Sequence, residues 1–158
     1  MAPSRSVIDA LAEANLAYRV IVHTEPVTSL EAAAQVRGVE VTDVVKTLVV
    51  RRSEGDYLLV LVPGGRALSW PKLRALLGVT RMSMPPADEA REVTGYERGT
   101  ITPLGTRTSL PVIADSILAT RDEVTIGSGT HDVAIGVDAR SLIAAVNAVV
   151  ADITEPDA

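Results

Sequence analysis

Val44-Val45-Lys46-Thr47-Leu48-Val49-Val50-Arg51-Arg52 is followed by Ser53-Glu54-Gly55-Asp56 and then by Tyr57-Leu58-Leu59-Val60-Leu61-Val62. Two runs rich in β-branched and aliphatic residues flank a small polar segment with a glycine, which predicts a β-hairpin with a four-residue loop. Side chains alternate along a strand, so Val44, Lys46, Leu48 and Val50 share one face and Val45, Thr47 and Val49 the other. Both faces are apolar, the pattern of a central strand covered on both sides. Lys46 breaks that pattern. An unpaired buried ammonium is costly, so Lys46 either reaches water near the strand end or meets an anionic partner.

Before the hairpin, Val7, Ile8, Leu11 and Leu16 lie at helical spacing over residues 4–16, and Tyr18 to Val22 reads as a short strand. Thr28 with Glu31 has the form of a capping box for a helix running to Arg37 and stopped by Gly38. After the hairpin, Pro63-Gly64-Gly65 ends the second strand. Ser69 caps a short helix that tolerates Pro71 in its first turn and ends at Gly78. Thr80 to Met84 reads as a strand and Ala87 to Thr94 as a helix before Gly95. Residues 95–110 form a long loop, and long ordered loops are often functional. Pro111 to Leu118, Val124 to Ile126 and Val133 to Val137 follow as strands. Asp138 then caps a last helix with Leu142, Ile143, Val146, Val149 and Val150 as its apolar stripe. No repeat or linker appears, so residues 1–158 are read as one domain ending in a short polar tail, 154–158. The interspersed helices and the hairpin predict an α+β fold with a mixed, mostly antiparallel sheet.

Composition narrows the chemistry. The 158 residues contain no Cys and no Phe, one Trp and three Tyr, so the core is aliphatic and thiolate chemistry is excluded. Too few rings exist for a base-stacking platform. The net charge of −5 argues against a general nucleic-acid coat and confines any RNA contact to a local patch. No apolar run is long enough to span a bilayer, and the N-terminus lacks the form of a signal peptide, so a cytoplasmic protein is expected. The two histidines have no zinc-ligand spacing. No phosphate-binding P-loop or dinucleotide fingerprint occurs either, so no metal or cofactor is expected.

Two further segments can carry chemistry. Gly99-Thr100-Ile101-Thr102-Pro103-Leu104-Gly105 fixes an unusual backbone path and can present N–H groups to an anion, or it is a structural turn. Gly127-Ser128-Gly129-Thr130-His131-Asp132 lets a ligand approach the backbone, with His131 able to hydrogen-bond it, or it is a hairpin turn with an exposed histidine. Ser128 lacks the surroundings of a nucleophile elbow. His131 and Asp132 are adjacent and make a poor dyad.

Taken together these segments resemble a known family. Val45-Lys46-Thr47-Leu48-Val49 resembles the K-T-L strand of the YbaK-type prolyl-tRNA editing domains. Thr94-Gly95-Tyr96 with Gly99 to Gly105 resembles their T-G-Y…G-x-x-x-P-x-G loop, and Gly127-Ser128-Gly129 stands at their small-residue substrate loop. The resemblance runs from about residue 6 to residue 152. It implies a curved α+β sheet flanked by helices, and hydrolysis of the ester between tRNA, often tRNA-Pro, and a noncognate amino acid. The implied partners are the acceptor end of aminoacyl-tRNA and either prolyl-tRNA synthetase or an elongation-factor complex. With no synthetase domain in these residues, action in trans is implied. Lys46, Gly99 and Gly129 would carry catalysis: Lys46 would hold the RNA 3′ end, and the N–H groups near the two glycines would face the oxyanion. Lys46, Thr47, Gly99, Thr102, Pro103, Gly127, Ser128, Gly129 and His131 would line the substrate. Members acting on Cys-tRNA have an Arg-rich turn where this chain has Thr130-His131-Asp132, which is closer to members acting on alanine or another small amino acid. Two alternatives share these features: a non-catalytic binder of tRNA ends or nucleotides, and a small-molecule ester or amide hydrolase. If Arg51, Arg52, Arg66, Lys72 and Arg74 gather near Lys46, an RNA backbone is the natural ligand; if scattered, they are solvated surface charges.

Overall fold

The computed structural model describes residues 1–157. The hairpin forms as β2 (Lys46–Ser53) and β3 (Asp56–Val62). Ser53 pairs with Asp56, so the loop is only Glu54-Gly55, and the register shifts between Arg51 and Ser53. Gly55 has φ +73, a backbone region that L side chains rarely adopt, which lets so short a turn close.

Around the hairpin the chain runs α1 (Arg5–Glu13), β1 (Tyr18–Val22), α2 (Leu30–Arg37), then after β3 β4 (Arg66–Leu68), α3 (Trp70–Leu77), α4 (Ala87–Thr94), β5 (Val112–Asp115), β6 (Glu123–Gly127), β7 (Val133–Asp138), α5 (Ala139–Ala145), β8 (Val149–Ala151) and β9 (Thr154–Pro156). One sheet is antiparallel with order β1-β7-β6. A mixed sheet has order β2-β3-β5-β8, and β4 pairs with β9. The fold is α+β as expected, with mostly antiparallel pairing; the parallel pairs are β3 with β5 and β5 with β8.

Strand alternation divides the core. Val49, Leu59, Leu61, Val112 and Ala114 pack toward α1 and the antiparallel sheet. Val50, Leu58, Val60, Val62 and Ile113 pack on the other face with Leu73 of α3. Both faces of β2 are covered, but β2 stands at the sheet edge, and β3 and β5 are the interior strands. That edge is blunted by bridges from Val44 to Thr125 and from Arg51 to Ser83.

Several boundaries differ from the sequence reading. Ser29, not Thr28, caps α2, accepting from the Ala32 N–H at 3.0 Å. Residues 80–84 supply only the Ser83 bridge. The strand from Pro111 ends at Asp115, whose carboxylate caps a 3-10 helix over Ser116–Thr120. The last helix stops at Ala145. Asn147 turns the chain at φ +53, so Val149 and Val150 belong to β8. Within the stretch read as a polar tail, Thr154–Pro156 is a strand; Ala158 lies outside the described residues. Among the described residues no helix is long and apolar enough to cross a membrane.

Candidate active site

Lys46 is placed by contacts on both sides of it. The 3-10 helix Val41–Asp43 precedes it, closed by a reciprocal capping box between Glu40 and Asp43. Arg121 clamps that turn, donating to Asp43 Oδ1 and Glu40 Oε2 at 2.7 Å each, and these two carboxylates raise the pKa of its guanidinium. Gly64 lies so close to the turn that a Cβ there would collide with the Val41 carbonyl oxygen. The Val45 N–H then donates to the Thr125 carbonyl at 2.9 Å, joining the two sheets one residue before Lys46. Lys46 itself is exposed, and among the described residues no carboxylate is within ion-pairing distance of it.

Lys46 stands over a cavity of ≈ 630 Å³. Its walls are largely apolar, from Val44, Val45, Val49 and the Met84-Pro85-Pro86 segment. Its charged lining is Arg37, Lys46, Arg66 and Arg98 against the single acid Asp157. Thr47 also lines the cavity, and its hydroxyl oxygen is buried without a hydrogen-bond partner. Of the five basic residues weighed from sequence only Arg66 lines the cavity, held by Thr154 Oγ1 at 3.0 Å. Arg51, Arg52 and Lys72 pair with Glu89, Asp56 and Asp152, and Arg74 lies on α3 away from the cavity.

The two glycine-bearing loops meet at the far wall. Glu97 to Thr100 is a turn closed by the Thr100 N–H on the Glu97 carbonyl at 2.9 Å, with Gly99 at φ +89 in the position where a type II turn needs glycine. Gly99 is exposed, and its N–H has no backbone acceptor among the described residues. Gly127 packs directly on this loop: a Cβ there would meet the Ile101 carbonyl oxygen at 2.5 Å and that of Thr100 at 2.9 Å. Lys46, Thr47, Gly99 and Gly127 are thus brought together around one cavity.

Of the other five expected site residues, four lie outside that cavity and His131 lines an adjoining one. The Gly129 N–H donates to the Thr100 carbonyl at 2.9 Å, so it is not available to an oxyanion. Ser128 is fully buried and its hydroxyl donates to the Val133 carbonyl at 2.7 Å, stitching its own turn. Thr102 and Pro103 are buried behind the loop and line neither this cavity nor its neighbour.

A second cavity of ≈ 430 Å³ adjoins the first through the shared residues Leu30, Arg37, Gly99 and Gly127. It is more polar and contains His23, His131 and Asp132. His131 Nε2 lies 2.9 Å from Glu97 Oε2 at its rim, and that contact holds the Glu97 carboxyl below the usual carboxylate range. His23 Nε2 accepts from Arg37 Nε at 3.3 Å, so the ring is neutral with its proton on Nδ1. Burial first, then the Arg37 charge, lower the His23 pKa from 6.5, with Asp132 opposing. A depressed histidine contributes stability that is fully present above its unfolded value and is lost as the pH falls through the folded one. Urea unfolding at about pH 8 and about pH 5 is expected to show a larger acid loss for the wild type than for His23→Gln; equal losses would refute this.

Sequence reasoning missed Arg37 and Arg98. A basic residue in the last turn of a helix is what the helix dipole favours anyway, so Arg37 carried no distinguishing signal. Arg98 is read as part of a loop until the turn at Gly99 brings it to the cavity.

The two sheets of the α+β fold thus meet at a cation-rimmed cavity with a glycine turn on its facing wall. The family model described as the aminoacyl-tRNA editing domain matches residues 24–145, and the chain belongs to that family. A crystal structure of a candidate trans-editing enzyme for prolyl tRNA synthetase superposes with a TM-score of 0.86 at 32% identity, covering 96% of each chain. A hypothetical protein of known structure superposes equally well, at 29% identity over 96% of this chain and 100% of its own. Among curated relatives, the proline–tRNA ligase of Thermosipho melanesiensis is 37% identical over 97 residues, 61% of this chain and 17% of the ligase. That of Trichlorobacter lovleyi is 32% identical over 111 residues, 70% of this chain and 19% of the ligase. The chain therefore spans less than a fifth of the length of these ligases.

Proposed function

We propose that the protein is a deacylase acting in trans on mischarged tRNA, hydrolysing the ester of alanine or another small noncognate amino acid, with tRNA-Pro as the RNA. The carrying observation is the charge of the larger cavity: Arg37, Lys46, Arg66 and Arg98 converge on it in a chain of net charge −5. Such a local concentration suits the phosphates of an RNA end, where a uniformly acidic surface would repel them. An aminoacyl ester is already activated, so hydrolysis needs positioning and carbonyl polarisation more than a strong nucleophile. In this reading Lys46 anchors the terminal nucleotide, Thr47 lines the wall beside it and the Gly99 N–H faces the developing oxyanion. A water, aided by the vicinal ribose hydroxyl, attacks the carbonyl carbon; the ester C–O bond breaks and the ribose oxygen leaves with a proton. His131 contacts the amino acid from the smaller cavity. Prolyl-tRNA synthetase, which generates the mischarged substrate, is the natural functional partner, in the cytoplasm where charged tRNA is used.

The test is a deacylation panel with Ala-, Ser-, Thr- and Cys-charged tRNA-Pro. The expected result is fastest turnover of one small amino acid. Binding of the RNA without turnover would make the protein a non-catalytic binder. Equal rates on a minimal ester lacking the RNA would make it a small-molecule hydrolase.

A further inference from the structure

Arg37, like Arg66 and Arg98 on the same cavity, has no carboxylate within ion-pairing distance among the described residues. Arg5, Arg19, Arg51, Arg52, Arg121 and Arg140 each have a carboxylate within ion-pairing distance. Arg37 is half-buried, and its side-chain acceptors are both neutral: Nε donates to His23 Nε2 at 3.3 Å and Nη1 to Thr125 Oγ1 at 2.9 Å. Thr125 is fully buried, so this second bond fixes the plane of the guanidinium. Among the described residues Nη2 has no side-chain or backbone acceptor. The residue lines both cavities, on the strip it shares with Leu30, Gly99 and Gly127. Burial lowers its pKa, which is the mark of a charge paying for desolvation without a counter-charge.

An apolar side chain of similar volume would fill this place at lower cost, because a buried charge contributes to stability only when it is compensated. A guanidinium held in a fixed plane with one edge unspent is instead suited to an oxygen anion. We propose that Arg37 binds a negatively charged oxygen of the ligand at the junction of the two cavities. This rests on the deacylase reading in its identification of the ligand, and gives that reading a second fixed cation beside the Gly99 N–H, where the Gly129 N–H is already spent. Two oxygens of an aminoacyl-RNA end have this chemistry: the oxyanion forming on the ester carbonyl, and a phosphodiester oxygen.

Arg37→Met and Arg37→Lys separate the outcomes. In thermal unfolding with inorganic phosphate, a probe that does not depend on any hydrolysis, the wild type is expected to gain stability as phosphate is added. Arg37→Met is expected to lose that gain while unfolding without phosphate no lower than the wild type, and Arg37→Lys to keep part of it. In deacylation of mischarged tRNA, a kcat about 100-fold lower in Arg37→Met at unchanged KM assigns the carbonyl oxyanion. A KM about 10-fold higher at unchanged kcat, with a flatter salt dependence, assigns the phosphodiester. The proposal is overturned if Arg37→Met keeps the wild-type phosphate response, or if it loses stability without phosphate and Arg37→Lys does not restore the response. A wild type that hydrolyses none of the charged tRNAs yet shows the phosphate response removes the deacylase reading and leaves the anion site standing. An active wild type with an unaffected Arg37→Met does the reverse.

Discussion

Lys46→Ala is expected to lower kcat/KM for deacylation of mischarged tRNA by roughly 10- to 100-fold, the loss of one charge-assisted hydrogen bond of about 1.5–3 kcal/mol. Its melting temperature should stay close to that of the wild type, because Lys46 is exposed and no carboxylate pairs with it among the described residues. The combination matters: truncating the buried Val49 or Val50 on the same strand would open a gap in the core, whereas this substitution removes only what the cavity presents to a ligand. The mode of loss is also fixed by the anchoring role. Removing one phosphate contact flattens the dependence of log affinity on log salt by about 0.7 for a single strand. Steady-state kinetics over a series of salt concentrations gives both numbers. An unchanged kcat/KM would remove Lys46 from the site, whereas a lower kcat with an unchanged salt slope would make it a participant in the chemistry.

Gly127→Ala is the second large effect. The new methyl group would meet the Ile101 and Thr100 carbonyl oxygens at 2.5 and 2.9 Å, and both are backbone atoms with little freedom to withdraw. Gly127 is itself pinned by its pairing with Ala134 on β7, so the glycine loop is what must move. Overpacking of this kind costs about 1–3 kcal/mol, and in a chain of this size each kcal/mol lowers the melting temperature by roughly 2–4 °C. The shift carries Gly99 with it, since Gly99 belongs to the same loop. A displacement of about 1 Å at a positioning group can cost about 10²-fold in rate, so deacylation should fall more than stability does. Calorimetry and single-turnover deacylation on the same preparation check it; wild-type values in both would mean the loop yields freely and does not position the reacting groups.

Much of this architecture was legible because the chain states it locally. Alternation in 44–62 specifies the hairpin and divides its side chains between the two cores. Ser69 with Gly78 delimits α3, Asp138 starts α5, and Gly38 and Gly95 end α2 and α4, each by the capping geometry expected of the residue type. The three-residue strands β4, β8 and β9 were not legible, since three residues carry no periodicity to detect. Val149 and Val150 continue the helical spacing of Leu142 and Val146, and only Asn147, a residue tolerant of the left-handed conformation, signals the turn between them. Thr28 and Ser29 are adjacent caps of similar quality, and local sequence does not choose between them. In the site, Lys46, Thr47, Gly99 and Gly127 were readable as motif positions. The use of the Gly129 N–H within the fold was not, because its acceptor, Thr100, is set by tertiary packing, and the Ser128 hydroxyl is spent on the Val133 carbonyl of its own turn. The same holds for Arg37, whose role depends on Thr125, far away in the chain.

The single hydrogen bond from the Val45 N–H to the Thr125 carbonyl joins the two sheets beside Lys46. Neither sheet alone contains the cavity: one supplies Lys46 and Thr47, the other Gly127, and the glycine turn closes the gap. A fragment of the chain, however well it kept its own secondary structure, would hold half a binding site. Parting the sheets at this seam would separate Lys46 and Thr47 from Gly127 while each sheet kept its own strand pairing.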